Sequence, residues 1–263
     1  MLKPFWIEKE YKRELLKDAL NLFPKRKSLS FFKDWCTNRI NAGSHMLKYE
    51  TIWELFYNKQ ISNILDIGAY DGTDSIILSR IFNKAKIYSF EADSNNYSKL
   101  VTNIKYRRNI IPINAAVSNN SGEIEFYASE NVDERLSNMD ASGSILFPTE
   151  ENEKVWPNMK FKKPIKVKCI SIKDWAEQQK GINIDFIWMD VQGAELLVLE
   201  GAEKHLLNVK GIIAEVWDDS IFYKDSVDFS QLNKYLTSKG FRLSHLWKPG
   251  GSGDALFLNN TFF

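Results

Sequence analysis

Residues 64–72 read ILDIGAYDG. The apolar run Ile64–Ile67 stops at a glycine, which predicts the end of a strand. Asp66, Gly68 and Gly72 fall at D-x-G-x-x-x-G spacing, not the G-x-G-x-x-G of dinucleotide-binding loops. Glycine and aspartate also make ordinary turns, and the stretch alone allows that reading. Asp66, Asp71 and Asp74 all precede the first basic residue, Arg80. A phosphate needs positive charge and clustered N–H groups, so this loop suits a ligand with a cationic end better. Thr73 or Asp74 is the expected cap of the helix that follows.

Working outward, strand candidates are 61–67, 86–92, 110–117, 184–190 and 211–217. Between them SIILSRIF, NNYSKLVTNIKY and GAELLVLEGAEKHLL have helical spacing. This alternation predicts an α/β fold, a doubly wound, mostly parallel sheet with helices on both faces. FRLSHLW and DALFLNN read as a terminal antiparallel pair. GEIEFYAS (122–129) alternates like an edge strand, and Ser171 is a helix cap. Residues 1–46 form an N-terminal helical extension and 47–263 the main domain, with a substrate loop at 130–165. A loop that long in a compact domain is usually functional or disordered.

Ligands of open α/β sheets bind beyond the C-terminal strand ends. The first strand ends in Asp66, Gly68, Ala69 and Tyr70, and Gly68 lets the backbone approach a ligand. The second ends in Glu91 and Ala92, where a carboxylate can take both hydroxyls of a ribose. The third ends in Asn114 and Ala115, the amide suited to an adenine edge. The fourth ends in Asp190 and Gln192, the fifth in Glu215 and Trp217. An adenosine carrying a sulfonium arm, S-adenosylmethionine, matches this inventory.

Composition narrows the alternatives. Thirty-five basic and thirty-four acidic residues give a net charge of +1, so no global field draws the chain to nucleic acid or anionic lipid. Two cysteines, Cys36 and Cys169, far apart, suggest a reducing compartment. No signal peptide and no apolar run near 18 residues is visible, so a cytoplasmic protein without membrane insertion is expected. No zinc motif is present and no metal is expected. GSHM at 43–46 suggests no function, His45 included.

LDIGAYDGTDS, NAAVSNNSGEIEFY, the SGS at 142–144 and IDFIWMDVQGAELLVLEGA, in this order, resemble the FkbM family of class I S-adenosylmethionine-dependent methyltransferases. The similarity spans roughly 60–217, with an echo in GDALFL (253–258). It implies a Rossmann-like seven-stranded sheet ordered 3-2-1-4-5-7-6 with the last strand antiparallel. It implies that Asp66, Gly68, Ala69, Tyr70 and Gly72 surround the methionine arm, and that Glu91 and Ala92 lie at the ribose. Asn114 and Ala115 would lie near adenine, Asp190 and Gln192 at the methyl-transfer end. Gln192 stands where many relatives carry glutamate, which leaves it in doubt as a base.

Methyl transfer from such a cofactor, most often to an oxygen such as a sugar hydroxyl, needs positioning and proton removal. Asp190 is the first candidate base, Glu215 the second and His245 the outsider. Glu195 is read as a helix-terminus acceptor and His205 as packing. Gln192, Ser142, Ser144, Trp156 and Trp217 are the candidate acceptor contacts. The expected partner is a small-molecule or glycan acceptor, and a homodimer is allowed. Three rival readings stand: an RNA methyltransferase gripping phosphates with KYRRN and KFKKPIKVK, a non-catalytic Rossmann-like domain, and a nicotinamide oxidoreductase.

Overall fold

A computed structural model describes residues 43–132, 139–219, 221–248 and 251–263, side chains of 43–47, 131 and 139 excepted. The helical extension expected over 1–46 lies outside these residues as far as 42. The chain divides into two units, 1–50 and 51–263.

In chain order the elements are α1 (Gly43–Phe56), β1 (Asn63–Ile67), α2 (Thr73–Ile81), β2 (Lys86–Phe90), α3 (Ser94–Ile104), β3 (Ile110–Ile113), β4 (Ala116–Val117), β5 (Gly122–Phe126) and β6 (Ser129–Asn131). There follow α4 (Glu150–Val155), β7 (Met159–Phe161), β8 (Ile165–Ile170), α5 (Ile172–Gln178), β9 (Phe186–Met189), α6 (Glu195–Glu200), β10 (Gly211–Trp217), α7 (Phe229–Ser238), β11 (Phe241–Trp247) and β12 (Ser252–Asn259).

The main sheet has seven strands in the order β11-β12-β10-β9-β1-β2-β3. Neighbours among β1, β2, β3, β9 and β10 pair parallel, while β12 runs antiparallel to β10 and to β11. Counted along the chain this is the 3-2-1-4-5-7-6 order. The strand order reverses between β1 and β9, which opens a crevice above their C-terminal ends.

Two-residue periodicity assigns each face. Leu65, Ile67, Tyr88, Phe90, Ile187 and Met189 pack with Trp175 of α5, Val198 and Leu199 of α6, and Leu232 and Leu236 of α7. The alternate residues look the other way, where Phe56 and Phe82 pack against Phe186 at 5.2 and 6.1 Å. Each such side chain fully removed from water contributes roughly 1.5–3 kcal/mol. Asp66 belongs by register to the second face, beneath α2.

Four local differences from the sequence expectation stand out. The single strand expected over 110–117 breaks at Asn114: β3 stays in the main sheet, while β4 leaves to pair with β8. A second sheet, β4-β8-β5, results, with β5 as its expected edge strand. The helix expected across GAELLVLEGAEKHLL stops at Glu200 and resumes as a 3-10 turn over Glu203–Asn208. There a Cβ on Gly201 would lie 2.2 Å from the Ser118 carbonyl oxygen. Helix α7, started by a capping box between Asp228 and Gln231, was not foreseen. Among the described residues no helix is long and apolar enough to cross a membrane.

Candidate functional site

A cleft of about 540 Å³ opens where β1, β2 and β9 end. Its lining combines apolar Phe90, Ala115, Ala116, Val117 and Phe126 with Gly68, Tyr70, Glu91 and Asp190. Among the described residues its lining includes no lysine, arginine or histidine.

Gly68 has φ +83, and a Cβ there would stand 1.9 Å from the Asp190 carbonyl oxygen. Its missing side chain therefore lets the β1 and β9 loops meet across the switch point, as well as bordering the cleft. Gly72 also has positive φ, but its Cβ would strike Leu100 at 2.6 Å, so it serves α2–α3 packing and does not line the cleft. Gly72, not Thr73 or Asp74, is the N-cap of α2, and Asp71 accepts from Thr73 N instead. Ala69 is buried and donates its N–H to the Phe90 carbonyl.

Asp66 departs from the sequence expectation. It is 1% exposed and accepts from Ser75 Oγ, which contacts Ser89 Oγ at 2.6 Å. Burial first, then the charge of Asp74, raises its pKa to about 8. It lies under the loop, outside the cleft lining. Glu91 does face the cleft, and its carboxylate accepts from Tyr70 N and from Asp93 N at 2.8 Å each. Burial raises its pKa to about 7, and these backbone donors oppose the rise. Asn114 spends its amide on the Glu91 and Ala92 carbonyls at 2.8 and 3.3 Å. It shapes the end of β2, whereas Ala92 and Ala115 line the cleft.

Residues 139–146 cover the cleft. Asp140 accepts from Tyr70 Oη at 2.7 Å, pairs with Lys99, and receives Asn96 Nδ2 at its carbonyl. Burial pushes the Asp140 carboxyl up, but Lys99 and Tyr70 hold it below its ordinary value. Lys99 also sits 5.0 Å from the Tyr70 ring centre. Ser144 borders the cleft, but its hydroxyl donates to the Gln192 carbonyl at 2.9 Å and accepts from Leu146 N. Ser142 N donates to Ser129 Oγ. Both serines brace this cover.

Next to the lining residue Asp190, Gln192 Nε2 donates to Asp190 Oδ1 at 2.7 Å and to Glu215 Oε2 at 2.8 Å. Asp190 is exposed and Glu215 partly buried. The Glu215 pKa is raised well above the usual carboxyl range, by desolvation, by the charges of Asp190 and Glu195, and by a hydrogen bond to Asp190. These causes all favour the protonated form of the Glu215 carboxyl. Glu195, as expected, accepts from Val191 N and Gly193 N at 3.2 and 3.3 Å. Trp156, Trp217 and Phe222 form an aromatic cluster just past Glu215, with ring centres 4.9–6.1 Å apart. The Trp217 Nε1 is buried and finds no partner among the described residues.

His245 is brought nowhere near this group. It lies exposed on β11, the edge strand, bonded to Ser244 and stacked on Trp247 at 5.4 Å. Sequence reasoning missed Tyr223, which sits in a segment with no strand-end position, and Asn96, Phe126 and Asp140. Asp140 was hidden because no spacing rule ties it to Tyr70 or Lys99. The lysine run offered as a phosphate grip is largely matched: Lys160 pairs with Glu153 and Lys162 with Glu130. Lys166 and Lys168 stand opposite Glu125 and Glu123 in the β5–β8 register.

The sheet order, the antiparallel seventh strand and a cleft at the switch point belong to the class I S-adenosylmethionine-dependent methyltransferases. The family model described as "Methyltransferase FkbM domain" matches residues 66–243. With that match over more than half its length, the chain belongs to the FkbM methyltransferase family. It is 32% identical over 197 residues to the 2-O-methyltransferase NoeI of Sinorhizobium fredii, covering 74% of this chain and 79% of that protein. It is 26% identical over 152 residues to the hexuronic acid methyltransferase AglP of Haloferax volcanii, covering 57% and 54%. Among solved structures, a methyltransferase FkbM from Methylobacillus flagellatus KT aligns at 15% identity and TM-score 0.49, over 75% of this chain and 43% of that one.

Proposed function

We propose that the chain transfers the methyl group of S-adenosylmethionine to a hydroxyl of a sugar. The carrying observation is the Asp190–Gln192–Glu215 group, whose Asp190 lines the cleft at the switch point. The cleft suits the cofactor chemically: apolar lining residues for adenine, the Glu91 carboxylate for the ribose hydroxyls, and acids with no lining cation among the described residues for a positively charged sulfur. Gly68, Tyr70, Glu91, Ala92, Ala115 and Asp190 would hold it. Asp66, Ala69, Gly72 and Asn114 support those residues from behind. When bound, the cofactor supplies an electrophilic methyl group. The two relatives, a 2-O-methyltransferase and a hexuronic acid methyltransferase, support a hydroxyl oxygen on a sugar as the acceptor.

In this reading Asp190 accepts the hydroxyl proton. Glu215 keeps its own proton, so the pair's negative charge sits on the more exposed Asp190. Gln192 fixes both carboxyls, and Tyr70 with the 139–146 cover excludes water from the cleft. The described part of residues 130–165 acts as the acceptor-facing segment, with half-buried Trp156, packed against the buried Trp217, as a stacking surface for a sugar ring. Matched lysines at 160–168 and the net charge of +1 disfavour RNA as acceptor.

Calorimetry with S-adenosylhomocysteine tests the cleft, and labelled S-adenosylmethionine with a panel of glycans and glycosides tests the transfer. The expected result is binding, and an alkali-stable methyl ether on a sugar product. Asp190→Asn should lower turnover about 100-fold or more while cofactor affinity changes far less. Unchanged turnover removes Asp190 from the mechanism; label on RNA but not on sugars overturns the acceptor class.

A further inference from the structure

We propose that Tyr223 is a positioning residue for methyl transfer: its hydroxyl holds the Gln192 carboxamide on the Asp190–Glu215 pair and ties that pair to the segment covering the cleft. The proposal rests on the reading of Asp190 as the proton acceptor. Gln192 adopts φ +53, a left-handed conformation that an L-residue seldom takes. That backbone turns its side chain between two strand ends. Both of its amide N–H donors are used, one on each carboxyl. Its remaining atom, Oε1, lies 3.2 Å from Tyr223 Oη, which donates. The same phenolic proton faces the Ser142 carbonyl at 2.8 Å. One hydroxyl thus joins the cover to the amide, and the amide joins two acids.

Tyr223 is built for this position. Its side chain is 2% exposed, its ring meets Phe161 edge-on at 6.2 Å, and a Cβ on Gly193 would lie 3.4 Å from it. Burial keeps it a neutral phenol. Among the described residues, the charges that raise the Glu215 carboxyl are acids: Asp190 at the end of β9, Glu195 from α6, and Asp254 opposite Glu215 on β12. Against them the two N–H groups of Gln192 are donors that stabilise negative charge on the pair. If the amide loses its Tyr223 anchor, the pair keeps its proton to higher pH.

The test is a carbon-13 titration of the side-chain carboxyls in cofactor-free protein, wild type beside Tyr223→Phe and Gln192→Leu, with kcat/KM against pH for the same proteins. Both variants should move the pair's midpoint upward by about one pH unit or more, and the acid limb of kcat/KM should follow, with rate regained at high pH. An unmoved midpoint with an even loss of rate at every pH would mean that Tyr223 only packs, and would overturn the proposal. If Tyr223→Phe does not fold, Gln192→Leu decides by the same midpoint. Failure of the cofactor reading would show separately, as no uptake of S-adenosylhomocysteine by the wild type.

Discussion

Glu91 joins two demands in one side chain. It accepts two backbone N–H groups that fix the β1 and β2 loops, and it faces the cleft where a ribose would lie. Its pKa near 7 means that the charged form needed to accept hydroxyl protons builds up only as pH rises through neutrality. Affinity for S-adenosylhomocysteine should therefore weaken as pH falls from 8 to 6, approaching about tenfold per unit below 7. Calorimetry at three pH values checks this, and Glu91→Gln should bind about 10-fold or more weakly with the pH dependence flattened. The place of Glu91 at the cleft was legible because it closes a strand whose C-terminal end borders the switch point. Asp66 was misplaced because spacing does not reveal which face of a strand a carboxyl takes. One residue of register separates the cleft from the space beneath α2, and only the packing of Ser75 and Ser89 decides it.

Loops at the switch point are held by backbone contact more than by side chains. The β1 loop donates Gly68 N and Ala69 N to the Phe90 carbonyl, at 3.0 and 2.9 Å, and presses Gly68 against Asp190. Gly68→Ala adds a left-handed alanine and a clash with a carbonyl oxygen that cannot rotate away. It should cost more than about 2 kcal/mol of stability and weaken cofactor binding at least about 10-fold. Urea melts and calorimetry read the two effects; a variant as stable as wild type would mean that the loops are not locked together. At this scale the main sheet was legible, since its strands are short apolar runs between helical spacings. The second sheet was not. Its strand β4 is a buried two-residue piece that pairs across about fifty residues with the mostly exposed β8, and the break at Asn114 depends on carbonyls that the sequence does not display.

Across the whole chain, Asp66, Glu91, Glu195 and Glu215 are all carboxyls with raised pKa values, burial being the largest cause for each. In the unfolded chain such groups ionise near their ordinary values, so at neutral pH folding must take up protons. The stability they allow is complete below about pH 4 and is lost as pH rises through the folded values, about 7 for Glu91 and Glu195 and about 8 for Asp66. The melting temperature of the cofactor-free protein should fall between pH 5.5 and 8.5, and Asp66→Asn should fall less steeply. Calorimetric scans in matched buffers check it, and parallel curves for the two proteins would mean that Asp66 titrates alike folded and unfolded. The placement of β12 carries a different consequence. Strand β10 is almost wholly apolar and completes its pairing only when residues 252–259 slot between it and β11. A polypeptide still emerging from the ribosome therefore presents a sticky, unzipped margin until residues 252–259 arrive, which makes synthesis of this enzyme a natural occasion for chaperone holding.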